Sequence, residues 1–320
     1  MSSFDIRPKV KSKLNILPQN PEQTDDEKAV GLGRFPSWLH RPMPKGKGLA
    51  DTLRSVTSNA LHTVCEEAKC PNLFECWSNK TATFLIMGKQ CTRSCGFCDI
   101  DYTKKPPPLE DNEPKRVADS VKELGLKHVV ITMVARDDLD DGGAKQLKAV
   151  IEEIRKVNPN TSIETLSSDF NGNKDAWRTL LSSEPEIYNY NIETTEELTP
   201  RVRHTATYQR TLEFLKFISE NKGESLIKSG LMVGLGESDE DVLKTMSDLK
   251  KVGVDIVTIG QYLQPNRFKL RVKRFVEPKT FEYYKIEGEK LGLKYVYAGP
   301  FVRSSYNAGV VIKNFKIDST

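Results

Sequence analysis

"TATFLIMGKQCTRSCGFC", Thr81 to Cys98, reads as a buried strand that runs straight into a loop carrying three cysteines. The strand, 81–87, is short and rich in β-branched and apolar residues. Runs of the same kind recur at "HVVITMV" (128–134), "SIETL" (162–166), "IYNYNIE" (187–193), "IKSGLMV" (227–233) and "VDIVTIGQY" (254–262). Helical patterns lie between them. "KRVADSVKELG" stops at Gly125, and "AKQLKAVIEEIRKV" puts Leu147, Val150, Ile151 and Ile154 on one face. "SDEDVLKTMSDLKKVG" opens on Ser238 as a helix cap and closes at Gly253. Such alternation predicts an α/β fold with parallel strands inside and helices outside. Six βα units predict a partial (β/α)6 TIM-type barrel, with "LKYVYAGP" as a candidate further strand. No internal repeat is visible beyond that alternation. In such barrels chemistry gathers at the C-terminal ends of the strands, so the Cys91 loop faces the working end.

All six cysteines of the 320-residue chain lie between Cys65 and Cys98. They form two triplets: C-x4-C-x5-C at Cys65, Cys70 and Cys76, and C-x3-C-x2-C at Cys91, Cys95 and Cys98. Three readings compete. A disulfide set suits a small secreted scaffold and not a chain of this size. Zinc favours paired C-x2-C knuckles, and only Cys95 and Cys98 have that spacing. Iron–sulfur ligation fits best: a four-iron cube takes four thiolates, so each triplet is one ligand short. The vacancy leaves one iron in each cube for something else.

The second triplet, with Phe97 before its last cysteine, resembles the signature of the radical S-adenosylmethionine superfamily. "CEEAKCPNLFECW" just upstream resembles the auxiliary-cluster motif of the lipoyl synthase family. The likeness continues from "RFPSWLHRPMPKG" through "NIETTEELTPRVR", "KSGLMVGLGES" and "TIGQYLQP" to "GPFVRSSYNAG". The resemblance implies an enzyme, a sulfurtransferase with two 4Fe–4S clusters. One, on Cys91, Cys95 and Cys98, binds and cleaves S-adenosylmethionine. The auxiliary cluster, on Cys65, Cys70 and Cys76, takes Ser305 of Arg303-Ser304-Ser305-Tyr306 as its fourth ligand and donates sulfur. The reaction implied is insertion of two sulfur atoms at C6 and C8 of an octanoyl chain on a lysine. The partners implied are octanoylated lipoyl-carrier proteins and an electron donor such as ferredoxin or flavodoxin. Many members carry a histidine between the asparagines of "NYNIET"; here Tyr190 stands there, a departure that leaves any imidazole role at this place unsupported.

The rest of the sequence sets bounds. A net charge of +4 is too small to argue for nucleic acid. No apolar run has the length of a membrane span. The polar start lacks a secretion signal, and the acidic "EQTDDEK" argues against a transit peptide, so a cytoplasmic chain is expected. The expected division is a mobile arm over 1–33, an extension carrying the auxiliary motif over 34–80, a core over 81–275 and a C-terminal extension over 276–320. Both extensions are expected to cover the barrel mouth. "ARDDLDDGGA" (135–144) reads either as a polar loop beside a ligand or as a solvated acidic turn. "GLMVGLGES" (230–238) offers amides to a carboxylate, or simply turns; it is not a dinucleotide fingerprint. "RFKLRVKR" (267–274) would put Arg267, Lys269, Arg271 and Lys273 on one face if extended, either as a solvated edge or as a dock for an acidic carrier protein. The scattered His40, His62, His128 and His204 are assigned to no metal.

Overall fold

The computed structural model describes residues 35–40, 48–59, 61–78, 83–306 and 308. The arm expected over 1–33 lies outside them. The chain opens with α1 (Gly48–Ser58), β1 (His62–Thr63), α2 (Val64–Glu67), α3 (Leu73–Ser78), β2 (Thr83–Ile86), β3 (Gln90–Cys91) and β4 (Asp101–Tyr102). It continues through α4 (Glu113–Leu124), β5 (His128–Met133), α5 (Ala144–Val157), β6 (Ser162–Leu166), α6 (Lys174–Leu181) and β7 (Ile187–Asn189). Then follow α7 (Thr199–Val202), α8 (Tyr208–Asn221), β8 (Leu226–Val233), α9 (Asp239–Lys251), β9 (Ile256–Gln261), α10 (Pro278–Lys290) and β10 (Tyr295–Gly299).

One sheet runs β1-β2-β5-β6-β7-β8-β9-β10. β1 is antiparallel to β2, and every later pairing in this sheet is parallel. Its two ends are not bonded to each other, so the barrel is partial and open. The candidate further strand forms as β10 against β9. Helix ends follow the local chemistry. Gly125 caps α4 in the left-handed region, and Ser238 and Asp241 close a capping box on α9.

β7 is shorter than its sequence suggests. It leaves the sheet after Asn189, which pairs with Lys228, and rejoins only at Glu193, which bridges Leu231. Four steps along this chain answer three along β8, a one-residue bulge of the kind that re-aims side chains beside active sites. Glu193 takes φ 69°, a conformation rarely adopted without glycine.

Alternate residues of each strand face the barrel interior. At its N-terminal end Ile187, Ile256, Leu226 and Tyr295 form an apolar plug. Above them Lys228 Nζ meets Glu164 at 3.0 and 3.1 Å, and Asn189 donates to Glu164 at 2.7 Å, all fully buried. A cavity of about 490 Å3 occupies the C-terminal end. Among the described residues no helix is long and apolar enough to cross a membrane.

Candidate active site

The loop after β2 is held from three sides. Thr92 bonds Ala135 O through both its amide and its hydroxyl. Arg93, 7% exposed, forks onto Asp137 with two 2.7 Å bonds and reaches Asp169 at 2.7 Å. Asp169 is gripped in turn by Arg210 at 2.6 Å. Gly96 donates to Val202 O and accepts from Leu270 N, both at 2.9 Å. The acidic stretch 135–144 therefore does something neither sequence reading foresaw. Asp137 clamps the cysteine loop, Asp138 pairs with Arg136, and Asp141 caps the amides of Gly143 and Lys145.

The first triplet and the C-terminal tail are tied together over the mouth. Thr63 caps α2, which carries Cys65, and α3 carries Cys76. Asn72 donates to Phe301 O at 2.7 Å, and the Tyr306 hydroxyl donates to Glu75 at 2.7 Å. The tail lies on β9 because Gly260 has no side chain: a Cβ there would stand 2.1 Å from Val302 O. Asn191 Nδ2 then donates to Ser304 Oγ at 3.0 Å.

Cys65, Cys70, Cys91, Cys98, Ser304 and Ser305 all line the one cavity. Cys76 and Cys95 are not on its wall, although Cys95 lies within electrostatic reach of Cys91 and of Arg203, which is. No disulfide joins any two of the six cysteines. Burial pushes Cys65 and Cys95 up to about 11 and Cys98 up to about 12. Such thiols are neutral on their own at neutral pH, and a metal binds by displacing their protons. Among the described residues no three of His, Cys, Asp and Glu close around a single ion.

The donor set suits thiophilic iron–sulfur groups. Beside it, on a residue that lines the cavity, Asn191 Oδ1 is buried with no hydrogen-bond partner, 2.9 Å from where a Cβ on Gly230 would stand. Apolar Leu85, Leu166, Leu231 and Met232 share the wall.

Sequence reasoning missed the charged groups beside the cysteines. Arg203, 5% exposed, donates to the Tyr190 hydroxyl and, at 2.5 Å, to Asn191 O. Burial raises the Glu193 carboxyl, against the pull of Arg203 and Asn191. The only signal was their place in "NIETTEELTPRVR", a matching stretch to which no role was attached. The glycine-rich turn does offer amides to a carboxylate, but to its own: Gly234 N and Leu235 N donate to Glu237 at 2.5 and 2.9 Å. The 267–274 segment forms no strand. Asn266 to Lys269 turn, and beyond them Leu270 and buried Val272 pack inward.

Comparison with known proteins places this geometry. Residues 85–249 match the model of the radical SAM superfamily, which implies a 4Fe–4S cluster and S-adenosylmethionine. A lipoyl synthase of Protochlamydia amoebophila is 61% identical over 94% of this chain and 93% of its own length. One from Chlamydia abortus is 53% identical over 88% of this chain and 91% of its own. Among solved structures, Streptococcus suis SuiB bound to S-adenosylmethionine covers 74% of this chain and 55% of its own, with a TM-score of 0.54 and 11% identity. Methylornithine synthase (PylB) covers 74% of this chain and 81% of its own, with a TM-score of 0.50 and 13% identity. The solved structures share the fold alone, while the curated relatives match nearly end to end: the chain belongs to the lipoyl synthase family of radical SAM enzymes.

Proposed function

We propose that this enzyme inserts two sulfur atoms, at C6 and C8, into an octanoyl chain held on a lysine of a lipoyl-carrier protein. The observation that carries the reading is the single cavity on which thiols of both triplets and the paired serines converge. When bound, a 4Fe–4S cluster on Cys91, Cys95 and Cys98 supplies the electron that cleaves S-adenosylmethionine, and one on Cys65, Cys70, Cys76 and Ser305 supplies sulfur. The chain's own work is to place and to exclude. Arg93, held by Asp137 and Asp169, fixes the Cys91 loop against the ends of β5 and β6. Asn191 holds Ser304, next to Ser305, on the wall that Cys65 and Cys70 also line. Arg203, Glu193 and Asn191 line the cavity and offer charge and hydrogen bonds to a polar cosubstrate. Leu85, Leu166 and Leu231 suit an alkyl chain and keep water from it. A radical reacts with whatever is nearest, so positioning is the main contribution.

The test is an oxygen-free assay with an octanoyl-lysine peptide, read by mass, on reconstituted protein checked for iron and sulfide. Cys65→Ala, Cys70→Ala and Cys76→Ala should each still cleave S-adenosylmethionine and make no lipoyl product. Cys91→Ala, Cys95→Ala and Cys98→Ala should abolish cleavage. Lipoyl product from a Cys65→Ala enzyme would show that the sulfur comes from elsewhere.

A further inference from the structure

The segment after β9 crosses the rim of the cavity and is bolted to it at several points. Fully buried Gln261 donates to Val233 O, Tyr262 O and Arg274 O, and accepts from Val276 N at 2.8 Å. Lys273 N donates to Gly234 O at 2.8 Å. Gly234 takes φ +102°, and a Cβ there would stand 2.4 Å from Arg274 O, so no other residue lets the segment lie so close. Leu270 N bonds Gly96 of the cysteine loop, and the Tyr262 hydroxyl bonds Leu270 O at 2.7 Å. Leu263 to Pro265, at the start of the crossing, line the cavity itself.

With its apolar residues turned inward, the segment presents cations around one aromatic ring. Phe268 is 69% exposed, the most open large apolar side chain among the described residues. The Arg267 guanidinium lies 4.8 Å from its ring. Arg267, Lys269 and Arg271 meet no carboxylate within ion-pair distance among the described residues, whereas the adjacent Arg274 pairs with Asp239 at 2.7 Å. The three stand unpaired on a segment tied down at Gln261, Leu270 and Lys273, next to Leu263 to Pro265 on the wall of the cavity an acyl-lysine arm must enter. An exposed ring among cations has the chemistry of an interface anchor with an electrostatic rim.

We propose that Arg267, Phe268, Lys269 and Arg271 form the docking surface for the carrier domain, and that they recognise an acidic face around its octanoyl-lysine. The proposal rests on the function given above and names the partner's surface for it. Its test uses the full reconstituted chain, with dithionite as reductant, and R267E/K269E/R271E and Phe268→Ala variants. Binding of an octanoylated lipoyl-carrier domain is measured by calorimetry. Turnover is measured on that domain and on a short octanoyl-lysine peptide. The triple variant should bind the domain at least about tenfold more weakly at low salt, and the gap should narrow as salt is raised. Phe268→Ala should weaken binding with little change in salt dependence. Turnover of the peptide should stay within about twofold of the unsubstituted enzyme, because the peptide lacks the domain's surface. Unchanged domain binding would overturn the proposal. So would an equal loss on domain and peptide, which would mark a damaged site. Domain binding and turnover left intact, with loss only when an acidic electron-transfer protein replaces dithionite, would assign the strip to the reductant instead. Calorimetry reads docking without turnover: an enzyme that binds the domain through this strip yet makes no lipoyl product would sink the function and leave the docking standing.

Discussion

The Tyr190 hydroxyl accepts from the Arg203 guanidinium, and its ring packs edge-on against Phe214 at 5.1 Å. Burial pushes the phenol up, so it stays neutral at any working pH. The phenol therefore serves as a neutral acceptor and spacer. Tyr190→Phe keeps the packing and removes the acceptor, leaving a buried donor of a charged group unpaired. The expected cost is about 2 kcal/mol. A urea titration under nitrogen should show a lower midpoint with an unchanged slope. Tyr190→His restores a polar partner and should lose less. If Tyr190→Phe unfolds at the same midpoint, the guanidinium is served by another acceptor. The same residue shows what a sequence hides. The departure from histidine was visible at once, but its partner lies thirteen positions away on the far side of a bulge, and nothing in the local pattern joins them.

Elements carry the geometry that single residues use. The cysteine loop was legible because strand and motif adjoin in the sequence, and β2, β5, β6, β8 and β9 fall within a residue or two of their expected bounds. The clamp on Arg93 was not legible, because Asp137 and Asp169 sit on loops after two different strands and meet only once the sheet has formed. The same holds for the tail on β9. Gly260 reads as an ordinary strand glycine until Val302 O is found against it. Gly260→Ala should lift the tail from the strand and shift Ser304 and Ser305 on the cavity wall they share with Cys65 and Cys70. A displacement of about 1 Å at a reacting site costs on the order of 100-fold in rate. Lipoyl formation should fall by roughly that factor, and cluster iron should fall as well. Cleavage of S-adenosylmethionine should persist, since the Cys91 loop makes no hydrogen bond to the tail among those described. Cleavage lost together with thiolation would mean that the strand and not the tail had moved.

Across the molecule the barrel interior is layered, and its middle layer is the least expected from sequence. Glu164 on β6, Asn189 on β7 and Lys228 on β8 join three strands below the cavity, with His128 Nε2 on β5 at 3.7 Å from the carboxylate. A lysine in "IKSGLMV" looks like an outward position in a strand; the open barrel turns it inward, onto an acid sixty-four residues earlier. Burial alone would raise the Glu164 carboxyl, but Lys228 and His128 outweigh it and hold it at about 2, against an ordinary value of 4.5. A carboxyl held low in the folded state stabilises the protein fully above 4.5, and that stability drains away as pH falls from 4.5 toward about 2. The gap corresponds to about 3 kcal/mol. Glu164→Gln should therefore unfold less steeply with acid than the unsubstituted chain over that window, as read by circular dichroism. Lys228→Met should be far worse at neutral pH, by about 3–5 kcal/mol, because it strips a fully buried carboxylate of its lysine and leaves only Asn189 and His128 beside it. The double variant Glu164→Gln, Lys228→Met removes both charges and should recover most of that loss. If the double variant is as unstable as Lys228→Met alone, the layer is held by packing and hydrogen-bond geometry, and the ion pair beneath the cavity contributes little to keeping the strands in register.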